Sequence, residues 1–272
     1  MTACARSTAK TTAWPIGLRI VLATASRSTS PTALAIASAW AVLFAAAASC
    51  ANRDALREIV QDQCLAHWRD QHNAAPCVEV HLDEAHAESG YAVLADRKGG
   101  AHFLLIPTRT ISGIESPTLE EPGAPSYFQA AWRAHERLDG VVGRQVPVRF
   151  IGLAVNPLHA RSQDQLHIHI ECLRPDVYQT LARQAARLSA SWSLLTLAGS
   201  SYWAQRISGD LEADDPFKLL AAHFPDADRS MGDYTLVVAG APSEDRGFLV
   251  LASASAAGEL LLDSSCAALQ AP

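Results

Sequence analysis

The sequence lacks an excess of positive charge and a close pair of cysteines. It holds 22 Lys and Arg against 28 Asp and Glu, a formal net charge of -6 at pH 7. We therefore expect no nucleic-acid partner, because nucleic-acid-binding domains usually carry a basic stripe. None of the six cysteines forms the CxxC pair that zinc sites favour. A chain of 272 residues can also bury a full core, so neither a metal nor disulfides are needed merely for folding.

Charge of either sign is absent from residues 28–52, which contain the apolar run ALAIASAWAVLFAAAAS. A basic region, residues 1–27, precedes this stretch. An apolar stretch of this length can span a hydrocarbon core ~30 Å thick, and its basic flank should stay cytoplasmic. A cleaved secretory signal and a lipoprotein signal that ends at Cys50 are the alternatives to a transmembrane anchor. In each case residues 53–272 form an exported domain.

An oxidising compartment allows the four cysteines of this exported part to pair: Cys64, Cys77, Cys172 and Cys266. Four cysteines permit three connectivities, and four free thiols are the alternative. We predict a Cys64–Cys77 bridge, which closes a short loop between the first helix and the first strand. We also predict a Cys172–Cys266 bridge, since Cys172 ends the apolar face of a strand and Cys266 follows the last apolar run.

Hydrophobic spacing predicts a helix over 54–72 and, after the cap residue Ser126, a second helix that follows a Pro- and Gly-rich loop at 108–126. A third helix is predicted over 176–192. The acidic pairs Glu120-Glu121 and Asp214-Asp215 are interpreted as solvated. Short strands are predicted at 77–81, 91–96, 102–107, 148–155, 234–241 and 247–253, with a hairpin turn at 97–100 and a further turn at 242–246.

The stretch DQLHIHIECLRPD, residues 164–176, brings several potentially reactive side chains together in a short segment. Successive side chains of a strand point to opposite faces, and alternate residues, which share a face, are about 7 Å apart along the strand. One face would then be apolar, with Leu166, Ile168, Ile170 and Cys172. The other face would be polar, with Gln165, His167, His169 and Glu171.

Three interpretations of this polar face compete. It is a half-solvated structural strand, part of a metal site, or the floor of an active site with a histidine nucleophile. A metal would need further ligands. The other candidate histidines do not stand at a sequence spacing typical of metal ligands: His81, His86, His102, His135 and His159. A histidine nucleophile is the most specific interpretation, because imidazole is largely neutral at physiological pH.

The segment QLHIHIE after AVNPLHARSQD resembles the histidine-triad (HIT) superfamily of nucleotide hydrolases and transferases. More closely, LREIVQDQCL, PCVEV, GYAVLAD, LLIPTRTISGIESP, LHIHIECLRPDV and DPFKLLA are similar to the CDP-diacylglycerol pyrophosphatases, a membrane-anchored branch. The likeness extends from about residue 56 to residue 266. It implies an α+β fold, with a HIT-like antiparallel sheet, packed helices and a C-terminal elaboration.

The resemblance also implies hydrolysis of CDP-diacylglycerol to CMP and phosphatidate, without metal or cofactor, on the periplasmic side of a bacterial inner membrane. His167 takes the position of the nucleophile and His169 that of the third triad residue, while Gln165 departs from the usual first histidine. The substrate would be bound by Gln165, Asn156, Ser162, Gln163, Arg161 and Arg174. The glutamine at position 165 keeps an inactive nucleotide- or lipid-binding module open as an alternative. Another nucleotide pyrophosphate hydrolase of the superfamily is a further alternative. The sequence gives no oligomeric state.

Overall fold

The computed structural model describes residues 52–82, 90–223, 230–242 and 247–270. Within these ranges, no helix combines the length and the apolar character needed to cross a membrane. The stretch at 28–52 falls outside them except for Asn52, so the anchor stays a prediction. His86 and the turn at 242–246, apart from its first residue, fall outside them as well. Residues 52–272 form one compact unit.

Ten strands of the described chain form one sheet in which every pair is antiparallel. The strand order is β1-β2-β3-β5-β4-β8-β9-β7-β6, and β10 pairs with the far end of β5. The fold is therefore α+β, as expected. The strands are β1 (Glu79–His81), β2 (Tyr91–Ala95), β3 (Phe103–Pro107), β4 (Ile151–Val155), β5 (Ile168–Leu173), β6 (Ser193–Leu197), β7 (Ser200–Ile207), β8 (Thr235–Gly240), β9 (Phe248–Ser253) and β10 (Leu262–Asp263).

The predicted apolar face of the central stretch, residues 164–176, is confirmed. Leu166, Ile168, Ile170 and Cys172 are all fully buried and belong to the largest hydrophobic cluster. The helix Tyr127–Ala134 packs on this face, and Ser126 caps it as predicted, since its hydroxyl accepts from the backbone N–H of Gln129 at 3.3 Å.

The opposite face of the sheet carries two separate apolar clusters. Leu94, Leu104 and neighbouring side chains of β1 to β3 form one cluster, under the helical segment 55–71. Ala154, Val237 and side chains of β7 to β9 form the other, with the helix Pro175–Gln184. The polar side chains of β5 lie on this face, because His169 is the register partner of both Leu104 and Ala154. The polar site therefore occupies the gap between two apolar clusters.

Several predicted helices differ in detail. The first is continuous over 55–71 but contains a π-helical stretch, Ile59–Cys64, between Ala55–Glu58 and Leu65–Gln71. The helix predicted over 176–192 ends at Gln184, followed by a 3₁₀ turn, and the hairpin β6–β7 was not predicted at all. Further helices span Arg137–Val142 and Pro216–His223.

Two local interpretations were wrong. Asp215 is buried rather than solvated, because its carboxylate accepts from the backbone N–H groups of Phe217 and Lys218 at the start of a helix. Residues 148–150 form a 3₁₀ turn instead of strand, so β4 begins only at Ile151.

Both predicted disulfides are present. Cys64 and Cys77 tie the first helix to the segment before β1, with Cα atoms 5.6 Å apart. Cys172 in β5 is bonded to Cys266 near the C-terminus, with Cα atoms 5.1 Å apart. The second bridge fixes the C-terminal segment on the apolar side of β5, away from the polar side chains of that strand.

Candidate active site

A cavity of about 820 Å³ opens beside the polar side of β5. This volume lies within the range of ~300–1,000 Å³ that is usual for small-molecule sites. Both histidines of the central stretch line it. The remaining lining comes mainly from the first helix, the β2–β3 hairpin, the loop before β5 and the turn at 258–261. Its charged and amide residues are Gln63, Asp96, Arg97, Lys98, Asn156, Arg161, Gln163 and Glu259.

His167 precedes β5 and is 8 % exposed, with its ring at the cavity. Its Nδ1 lies 2.7 Å from the carbonyl oxygen of Gln165. A carbonyl only accepts, so Nδ1 carries the proton and Nε2 keeps its lone pair. Among the residues that the structure describes, Nε2 has no hydrogen-bond partner. Burial, and to a lesser extent the charge of Arg161, lower the pKa of His167, which keeps the ring neutral at pH 7.

His169 lies deeper, and its ring centroid is 5.1 Å from that of His167. Its Nδ1 lies 3.0 Å from Nε2 of His102, which in turn lies 3.2 Å from a carboxyl oxygen of Glu171. Burial, followed by the proximity of His167 and His102, lowers the pKa of His169 well below its ordinary value. Burial and the nearby carboxyl groups of Glu259 and Asp96 raise the pKa of Glu171 to about 8.

His102, His169 and Glu171 together could hold a metal ion, since one possible ligand atom of each lies within 4.8 Å of the others. The two rings are inclined by only 25°, and their centroids are 5.2 Å apart. The distance between the ring centroids exceeds the 3.0 Å between the two nitrogens by about the sum of the two ring radii. The two nitrogens therefore lie close to the line that joins the ring centres and point at each other. This is the geometry of an N–H···N hydrogen bond, whereas coordination would direct both lone pairs to a common third point.

Asn156 and Glu259 border the other ring nitrogen of His169. The amide nitrogen of Asn156 lies 3.5 Å from Nε2 of His169 and donates to the carboxylate of Glu259 at 3.0 Å. The backbone N–H of Glu259 donates in return to the Asn156 side chain at 3.3 Å. This reciprocal pair fixes an amide group and a carboxylate at the edge of the cavity.

The loop before β5 lies at the cavity through Arg161, Ser162 and Gln163. Arg161 is buried and forms a bidentate ion pair with Glu115, at 2.5 and 2.8 Å. A Cβ atom at Gly113 would overlap its guanidinium, so the turn at 113–115 encloses this side chain. Gln163 accepts from the backbone N–H of Leu56 at 3.0 Å. The loop is thereby attached to the first helix.

Two residues predicted to bind substrate lie elsewhere. Gln165 does not line the cavity; its amide nitrogen donates to the carbonyls of Pro107 and Arg109, at 3.1 and 2.9 Å. Arg174 is absent from the lining as well and forms an ion pair with Asp176 on the surface, at 2.9 Å. The strand also begins only at Ile168, so Gln165 and His167 belong to the segment that leads into it.

Three site residues were not predicted as a group: Lys98, His102 and Glu259. The turn that carries Lys98 was predicted as a hairpin, and Asp96 stabilises it by accepting from the backbone N–H of Lys98 at 2.7 Å. The sequence indicates His102 only as a candidate metal ligand. Its position directly before β3, next to β5, is a consequence of strand order that the sequence does not show. Glu259 lies 90 residues after His169 and carries no local signal.

Comparison with known proteins identifies the family of the chain that carries this cavity. The family model for CDP-diacylglycerol pyrophosphatase matches residues 51–270, so the chain belongs to that family. A curated CDP-diacylglycerol pyrophosphatase of Yersinia pestis is 40% identical over 228 residues, which cover 80% of this chain and 86% of that protein. The range matched by the family model contains the positions of all the site residues described above.

Proposed function

We propose that this chain hydrolyses CDP-diacylglycerol to CMP and phosphatidate, with His167 as a covalent nucleophile in a HIT-like active site. Family membership supports the substrate and the bond that is cleaved. The observation that carries the mechanism is the contact between Nδ1 of His167 and the Gln165 carbonyl, because it directs the protonated nitrogen away from the reaction. The unprotonated Nε2 is then available to a substrate in the cavity that His167 lines.

In the first step, Nε2 of His167 attacks one phosphorus of the pyrophosphate. An N–P bond forms while the P–O bond to the bridging oxygen breaks, and that oxygen leaves with the bonding electron pair on the departing phosphate. Negative charge on the phosphoryl oxygens needs donors in fixed positions. The Asn156 amide and the His169 ring border the same part of the cavity and can supply them.

In the second step, water attacks the phosphoramidate. The new P–O bond replaces the N–P bond, and the imidazole of His167 recovers its lone pair. The proton of the water is released to solvent or to the phosphate product of this second step. Lys98 and Arg97 contribute positive charge to the lining, which favours a polyanionic headgroup. The ion-paired Arg161 serves mainly to hold the loop.

The test replaces His167 with alanine and measures release of CMP from CDP-diacylglycerol in detergent. We expect turnover to fall by about a thousandfold or more, because loss of a covalent nucleophile removes a whole reaction path. His159→Ala is the matched control, since His159 is an exposed histidine outside the cavity lining. Retention of more than about a tenth of the activity by His167→Ala would rule out the covalent mechanism.

Two further measurements separate the alternatives. Acid-labile phosphate attached to the protein, recovered after rapid quenching with labelled substrate, should appear in wild type and not in His167→Ala. Substrate bound without any release of CMP would instead identify an inactive binding module. Loss of wild-type turnover in chelator would favour the metal alternative at His102, His169 and Glu171.

We also propose that residues 28–52 hold this domain at a bacterial inner membrane, on the periplasmic side. The charge-free stretch and the two disulfides support this location, because disulfides persist in oxidising compartments.

A further inference from the structure

One side of the cavity is apolar, and its composition is not needed for the chemistry at the histidines. Leu104 contributes to it and is the direct register partner of His169. Leu94 pairs with Leu104 on the next strand and lines the cavity as well. Leu56 and Ile59 of the first helix continue the same surface, since both pack against the cluster that contains Leu94 and Leu104. This apolar wall thus runs from the site outward to the helix.

The two helical members of the wall are only half-buried. Leu104 and Leu94 are covered almost completely, whereas Leu56 and Ile59 leave part of their surface facing the cavity. Ile59 is also the first residue of the π-helical stretch, a local widening that is often found at functional sites. Apolar surface left in water is unfavourable, so a ligand with a hydrocarbon portion would gain by covering it.

The rest of the lining includes cationic groups as well as the carboxylates of Asp96 and Glu259. Arg97 and Lys98 lie in the β2–β3 turn, and the charge of Lys98 contributes, after burial, to the lowered pKa values of His102 and His169. A single cavity therefore offers both cationic groups and an apolar wall to a ligand at the reactive imidazoles. A ligand that joins a polyanion to a hydrocarbon portion matches this division.

We propose that Leu56 and Ile59, with Leu94 and Leu104 behind them, form the subsite for the acylglycerol part of the substrate. The glycerol ester groups and the first methylene groups of the acyl chains cover these side chains while the pyrophosphate meets His167. This subsite rests on the proposed function, because it assumes CDP-diacylglycerol as the ligand. The first helix then determines the preference for a lipid over a water-soluble CDP ester.

The experiment compares CDP-dioleoylglycerol in detergent micelles with CDP-glycerol, which has the same pyrophosphate and no acyl chains. Leu56→Gln and Ile59→Gln should each raise KM for the lipid and lower kcat/KM roughly tenfold, as expected for loss of one or two buried methylene contacts. Their kcat/KM for CDP-glycerol should stay within about twofold of wild type. If CDP-glycerol is turned over too slowly, its inhibition constant against lipid hydrolysis supplies the same comparison.

Leu194→Gln is the matched control, because Leu194 is 60% exposed on the edge strand β6 and lies outside the cavity. Leu56→Met should restore lipid kcat/KM to near the wild-type value, and thermal melting checks that each variant is folded. Equal effects of Leu56→Gln and Ile59→Gln on both substrates, or on neither, would overturn the subsite. Absence of CMP release by wild type would overturn the proposed function instead.

Discussion

At the scale of single residues, Glu171 is the carboxyl group with the most unfavourable surroundings in the site. It is buried, close to the acidic Glu259 and Asp96, and a carboxyl oxygen lies 3.2 Å from Nε2 of His102. Its pKa of about 8 in the folded protein lies far above the ordinary value of a glutamate. Between about pH 4.5 and pH 8, the folded state therefore keeps a proton on Glu171 that the unfolded state has already released.

This predicts a specific pH dependence of stability. Since the folded state keeps a proton on Glu171 in that window, the contribution of Glu171 to the free energy of unfolding should fall as pH rises through it, whereas the lowered pKa values of His167 and His169 make an opposing contribution at the acid end. Glu171→Gln cannot titrate, so it should remove this part of the fall, on the order of a few kcal/mol between pH 5 and pH 8. Urea unfolding at several pH values measures the difference. The exposed Glu120→Gln is the control, and parallel curves for Glu171→Gln and wild type would contradict the prediction.

The residue scale also shows where sequence reasoning reached its limit. Alternation in LHIHIEC correctly separated the buried Leu166 and Ile168 from the polar residues, because a one-residue shift would invert the faces. The partners of those polar residues come from distant segments, as His102 and Glu259 do. Gln165 illustrates the same limit: its side chain donates to the backbone carbonyls of Pro107, at the end of β3, and Arg109, a contact that only the folded chain creates.

At the scale of elements, the regular and buried strands were the predictable ones. The pair β8–β9 was predicted because its apolar residues are continuous. β6 is an edge strand that leaves Leu194 exposed, so apolar and polar residue types do not alternate cleanly along its sequence, SLLTL. The turn Ala198-Gly199 was the missed signal: both residues have positive φ, at 49° and 81°, which suits a two-residue hairpin.

The two disulfides provide an element-scale prediction. Cys172 and Cys266 are 94 residues apart in sequence, whereas Cys64 and Cys77 are 13 apart. A longer closed loop restricts the unfolded chain more, so Cys172→Ala with Cys266→Ala should cost about 4 to 5 kcal/mol and the other double variant about 3 kcal/mol. All four cysteines are buried, so the packing losses are comparable. Denaturant unfolding under non-reducing conditions gives the order, and the reverse order would contradict the loop argument.

At the scale of the whole molecule, the order of segments along the chain connects the predicted anchor with the proposed lipid subsite. The charge-free stretch ends at Asn52, and the helix that carries Leu56 and Ile59 begins at Ala55. If residues 28–52 hold the domain at a bilayer, the lipid substrate reaches the cavity at a high effective concentration without any change in the chemical step. Anchor and active site would then contribute separately to the observed rate.

Removal of residues 1–51 tests this separation. We expect activity on CDP-diacylglycerol in phospholipid vesicles to fall by at least tenfold, while activity on detergent-dispersed substrate stays within about twofold, because only the vesicle assay depends on surface attachment. Replacing the removed segment with an unrelated transmembrane helix should restore the vesicle activity, since the anchor supplies location and not chemistry. Equal losses in both assays would show that residues 1–51 are needed for folding. Unchanged activity on vesicles would favour a cleaved signal and an enzyme that works without an anchor.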